Sequence, residues 1–272
     1  MKFIRMLQQQ LRKMLLTPYT YIAIIAVFVL FMLCIAYVDP NVGKNYTVMD
    51  VILHKTELGV ADNFELSWQQ IENVYASSFF LVFVPCIISY VSVSMIITEK
   101  KSGYIIYEKI RCKDKVYRTT MYIAGTFISG IICMCAYLLF FVVIRLNLPD
   151  AYSYTDDIEN VKYLIGNVNV AITALRWLIY GMVMSAGYFV FVTIIREKNF
   201  CLSMGIFVTF LYNIFIPKLS ENVANPEMIK KFRLNTITNS PVISCFIYVF
   251  CLVIYILFAG ERRKKYVSNG NK

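Results

Sequence analysis

The sequence predicts an all-α integral membrane protein: six transmembrane helices with an N-terminal amphipathic interfacial helix, both termini cytoplasmic. Composition is the first reason. Hydrophobic residues make up 58% of the 272 and charged residues only 16%, whereas a soluble globular domain carries more charge and less apolar surface. The second reason is a set of six apolar runs, about 19–38, 76–98, 119–144, 170–195, 200–216 and 241–260, that contain no Asp, Glu or Lys. Most are near the ~20 residues that ~30 Å of hydrocarbon requires. Charge sorting is the third. The segments assigned to the inside hold 18 Lys and Arg against five acids, and the rest of the chain holds nine against twelve, the bias expected of cytoplasmic loops.

The whole chain, 1–272, reads as a single transmembrane domain. Residues 1–17 form its interfacial elbow helix, because Phe3, Leu7, Leu11, Met14 and Leu15 recur at helical spacing while Lys2, Arg5, Gln8, Gln9, Arg12 and Lys13 take other positions. Such a helix lies in the head-group layer. Pro18 bends the chain before the first span. The run Tyr19–Val38 is too long for a signal-peptide core and no A-x-A-like site follows it, so it is expected to be a retained span.

Asp39–Tyr75 is acidic and poor in bases, which places it outside. A short helix is expected over Ser67–Ser77, with Trp68 and Tyr75 suited to the membrane interface. His54, the only histidine, has no metal-ligating company and reads as a solvated loop residue. Asn45-Tyr46-Thr47 is a glycosylation sequon. In the second span, Ala76–Thr98, Pro85 requires neighbouring helices to satisfy the freed backbone groups.

The loop 99–118 carries seven Lys and Arg against three acids, so it lies inside. Within it, Gly103–Cys112 reads as a short helix with Tyr104, Tyr107, Glu108 and Arg111 on one face and Ile106 and Ile110 on another. From the residues alone this is either a solvated linker helix or a docking surface. Arg145 marks the outer end of span three, and acidic 147–162 follows outside. Arg196-Glu197-Lys198-Asn199 is a tight inner turn between spans four and five. Segment 218–240 is outside by alternation, although Lys218, Lys230, Lys231 and Arg233 outnumber Glu221 and Glu227 there. Span six ends at Glu261-Arg262-Arg263-Lys264-Lys265, an inner stop signal.

Several chemistries are disfavoured. Arg176 is the one charged residue inside a span; with Arg145 it is expected to snorkel to the outer interface, and a place on a substrate path stays open. No H-E-x-x-H, G-x-S-x-G or intramembrane Asp pair occurs, so the chain is expected not to be an enzyme, with no catalytic residue and no metal site. The eight cysteines fall in spans or at inner edges and read as packing residues. Gly125, Gly130, Gly181, Gly187 and Gly205 are expected to permit close helix contacts. The net charge of +10 sits at span ends, where it sets topology, so nucleic acid is not an expected partner.

The elbow helix, the six runs, the basic loop opening Glu99-x-x-x-Gly103 with Glu108 five residues later, and the helical segment between spans five and six together resemble the membrane (permease) subunit of an ABC-2-type ATP-binding-cassette transporter. The resemblance covers the whole chain and rests on layout. It implies that Gly103, Tyr104, Ile106, Tyr107, Glu108, Ile110 and Arg111 form a coupling helix docking into an ATP-binding subunit. Cys112-Lys113-Asp114 stands where the family often has a Pro. It also implies that 218–240 is extracellular or re-entrant, with a helix starting at Asn225-Pro226-Glu227. The implied partners are two ATPase subunits, a second permease subunit, identical or homologous, and membrane lipid. No G-x-x-x-x-G-K-[ST] occurs, so no cofactor is expected in this chain, and ATP and Mg belong to the partner. The expected activity is export of a hydrophobic or amphipathic peptide, lipid or drug across a bacterial plasma membrane. The alternative is a non-transporting scaffold or sensor that recruits a cytoplasmic partner.

Overall fold

A computed structural model of the chain describes residues 2–38, 43–56, 58, 60, 66–74, 83–103, 113–150, 170–195, 197, 199–207, 209–211 and 244–257. It is mostly helical. In chain order come α1 (Lys2–Leu15), α2 (Pro18–Met32), β1 (Ile35–Val38), β2 (Asn45–Thr47), α3 (Val48–Leu53), α4 (Trp68–Val74), α5 (Val84–Lys101), α6 (Asp114–Asn147) and α7 (Val170–Ile194). Two shorter apolar helices follow, α8 (Asn199–Leu211) and α9 (Ser244–Leu257). Among the described residues, α6 and α7 are long and apolar enough to cross a membrane, and α1 with α2 makes a third candidate if that bent pair is one span.

The bend between α1 and α2 is 62°, and its backbone is satisfied. Pro18 takes the first turn of α2, where a missing N–H costs nothing. Thr17 Oγ1 donates to the Lys13 carbonyl at 2.8 Å, and Thr20 Oγ1 donates to the Met14 carbonyl at 2.6 Å, so the last carbonyls of α1 keep partners where the helix stops.

The helix α2 ends at Met32, six residues short of the expected span end at Val38. Ile35–Val38 instead pairs antiparallel with Asn45–Thr47 in the register Ile35↔Thr47, Tyr37↔Tyr46 and Val38↔Asn45, with a bulge between Ile35 and Tyr37. The apolar run thus continues from helix into strand, where Ile, Tyr and Val suit a pleated surface. Cys34, expected inside a span, lies beyond the helix end, where its thiol donates to Leu30 O at 3.3 Å. Thr47 and Asp50 close a reciprocal capping box on α3.

At the Asn147 end of α6 the segments after β2 fold back onto it. Trp68 N–H donates to Pro149 O at 3.2 Å, Lys55 Nζ to Asn147 Oδ1 at 3.1 Å, and Gln69 Nε2 to Asp150. The start of α4 at Trp68 falls within the expected Ser67–Ser77 helix.

Helix α6 is the hub, packing against α1, α2, α5 and α7. Its contact with α7 is glycine-mediated: a Cβ on Gly130 would lie 2.7 Å from Leu178 O, and one on Gly181 would lie 2.8 Å from the Gly130 Cα. No side chain fits there, which lets the two backbones touch. Gly125 and Gly205 are likewise covered by Phe189 and Tyr188, whereas Gly187, expected to serve the same purpose, faces nothing within 4 Å.

Ser129 Oγ donates to Ile88 O of α5 at 2.8 Å, and Ser92 lies against Gly125. This register sets Val84 level with the middle of α6. Pro85, expected inside a span, therefore occupies the first turn of the described helix and breaks no hydrogen bond there. Residues 75–82 of the expected second span lie outside the described residues. Aromatic rings fill the interior: Tyr122 meets Phe189, Tyr248 and Tyr255 at 5.2–5.5 Å, and Phe31 meets Phe140 and Trp177 at 5.5 and 4.9 Å.

Candidate functional site

The residues that root the loop 99–118 come together at one place. The last turn of α5 carries Glu99, the first turn of α6 carries Tyr117, and the last turn of α1 carries Lys13. Glu99 is 6% exposed, and a carboxylate so buried must be paired. Lys13 Nζ lies 3.0 Å from Oε1, and the Tyr117 hydroxyl donates to Oε2. One carboxylate thus ties three helices. A neighbouring lysine adds a fourth, because Lys100 Nζ donates to Val192 O at 3.1 Å and covers a carbonyl in the last turn of α7.

Gly103 accounts for the other fixed position of the Glu99-x-x-x-Gly103 pattern. It follows the C-cap Ser102 and has φ +72, the left-handed conformation that ends a helix and that glycine adopts without strain. On the far side α6 starts at Asp114 behind its N-cap Lys113, and Asp114 pairs with Arg118 one turn on. Both ends of the loop are therefore held by the same cluster of helices. Of the expected docking residues only Gly103 is described; Tyr104, Ile106, Tyr107, Glu108, Ile110 and Arg111 lie outside the described residues.

The two arginines differ in setting. Arg145, in the last turn of α6, is exposed and holds its guanidinium 5.4 Å from the Trp68 ring and 6.0 Å from Phe141, a cation over aromatic faces next to polar Asn147 and Asp150. Arg176 is exposed on α7, and its side chain has no hydrogen bond or ion pair among the described residues. No group of metal-ligating side chains occurs among the described residues.

No family model, curated protein or solved structure matches this chain.

Glu99 was visible in the sequence as part of a pattern, but its partners were not. Lys13 lies 86 residues away along the chain, and nothing local marks it apart from the other bases of an amphipathic helix. Tyr117 had a weak signal, as a tyrosine beside a charged span end.

Proposed function

We propose that this chain is the membrane subunit of an ABC-2-type exporter. Six spans, with both termini inside, pair with those of a second permease subunit, and two separate ATPase subunits dock on the segment Gly103–Cys112, helical after Gly103. ATP-driven closure of the ATPases pushes on that helix, and the membrane dimer switches to expel a hydrophobic or amphipathic substrate from a bacterial cell. The observation that supports this best is the Glu99 junction. A loop that takes a mechanical load needs a rigid root, and here both its ends join the elbow helix α1 through one buried carboxylate. The helices α6 and α7, each apolar enough to cross a membrane, supply the body such a push would move.

The test is the double substitution Tyr107→Ala with Glu108→Ala. Co-purification with an ATPase and transport-linked ATP turnover are expected to be lost; both unchanged would overturn the docking. A protein partner that lacks ATPase activity and is captured through the same residues would instead establish the scaffold.

A further inference from the structure

In the proposed six-span layout Arg176 lies deeper than its place near the start of α7 implies. The contact of Gly130 with Gly181 fixes the antiparallel register, so Arg176, five residues toward the start of α7, is level with Cys135. Arg145 stands ten residues further out along α6, about 15 Å at 1.5 Å per residue. With Arg145 and Trp68 at the outer boundary of the hydrocarbon, the backbone of Arg176 is near the middle of a layer roughly 30 Å thick. Its Cβ tilts outward, toward the α7 N-terminus. A stretched side chain gains only about 7 Å, which leaves the charge inside the layer. On that placement the side chain falls short of the outer interface.

A guanidinium at that depth needs an anion or water. The exposed positions of α7 up to there, Ala171, Ile172, Leu175 and Arg176, cover its first two turns, an apolar strip with one cation. A second copy of the chain brings no counter-charge, because none of the six runs contains Asp or Glu. We propose that Arg176 holds the carboxylate or phosphate of a membrane-resident amphiphile whose hydrocarbon lies along Ile172 and Leu175. The planar guanidinium matches either group with two parallel N–H donors. Calling that amphiphile the cargo rests on the exporter reading; its binding does not.

Native mass spectrometry of the purified full-length chain, without any ATPase, tests the site with phosphatidylglycerol, phosphatidylcholine of the same acyl chains, and oleate. Wild type is expected to retain phosphatidylglycerol, oleate or both about five-fold over phosphatidylcholine, the discrimination of one desolvated charge-assisted pair. Retention of oleate identifies a free carboxylate, and of phosphatidylglycerol alone a lipid phosphate whose charge no choline offsets. Arg176→Gln should bring the anionic amphiphiles to parity, Arg176→Lys should keep part of the preference, and Arg145→Gln should leave it intact. An undiminished preference in Arg176→Gln overturns the proposal, as does equal loss in Arg145→Gln. Should Arg176→Gln fail to fold, a wild-type chain with no preference overturns it equally. Tyr107→Ala with Glu108→Ala, which tests the exporter reading, should leave this binding unchanged.

Discussion

Glu99 and Gln10 are two buried polar side chains with opposite consequences. Glu99 has a partner on each carboxylate oxygen. Replacing Lys13 by Met leaves the charge with only the Tyr117 hydroxyl and should cost about 1–3 kcal/mol, less than a fully desolvated pair because Lys13 is partly exposed. Glu99→Gln should lose the ion pair yet keep an acceptor for Tyr117. Thermal unfolding in detergent checks both, and equal melting temperatures for wild type and Lys13→Met would remove the junction from any structural role. Gln10 lies on the inward face of α1 between Met6 and Met14, fully buried, with neither polar atom partnered among the described residues. Its desolvation is not compensated, so Gln10→Leu should stabilise the chain by about 1–2 kcal/mol; a lower melting temperature would mean that Gln10 has a ligand. At this scale the sequence disclosed residue types but not partners. Gly103, read as the first residue of a short helix, instead ends α5 in the left-handed conformation at φ +72, and the Lys13–Glu99 pair depends on a bend and a packing register that no short window contains.

Among the elements, helices with strong periodicity or sustained length were the legible ones: the amphipathic pattern of α1 and the long apolar runs of α6 and α7. The hairpin was not legible, since Ile35–Val38 extends the apolar run of α2 without a break and periodicity cannot separate buried helix from strand over four residues. Asp39-Pro40-Asn41 was the available turn signal. Two element-level outcomes follow. Gly181→Leu forces a side chain where the backbones of α6 and α7 touch and should unfold the chain or cost more than about 3 kcal/mol, whereas Gly187→Leu, facing open space, should leave the melting temperature within a few degrees. Asp50, at the start of α3, is held below its ordinary value of 3.8, chiefly by the Thr47 backbone N–H and then by the Thr47 hydroxyl. Because the folded value is the lower one, its stabilisation is complete above the ordinary carboxylate range and disappears as pH falls through the folded value. Amide exchange in Val48–Leu53 should therefore be flat from pH 7 to about 5, after correction for intrinsic rates, and should lose protection only below the ordinary carboxylate value of 3.8. Asp50→Asn should flatten that acid limb.

The whole molecule is where sequence and structure overlap least. The chain is mostly helical, with two or three helices fit to cross a membrane among the described residues, and the six-span layout remains part of the proposal. That layout predicts that impermeant thiol reagents applied to intact cells label a cysteine introduced at Asp150 but not one introduced at Lys113; the reverse pattern would invert the topology. Apolar length is a one-dimensional quantity, so candidate spans could be read from the sequence. The level of Arg176 along α6 could not, because it is set by which glycines touch. The length of α6 has a mechanical consequence of its own. Its 34 residues measure about 51 Å, so in the proposed layout, with Arg145 at the outer boundary, ~30 Å of hydrocarbon would end near residue 125. In that layout the remaining turns would reach past the oily layer, with α1 and the end of α5 packed against them. A partner of the loop would then meet it beyond the hydrocarbon, at a height set by the bilayer.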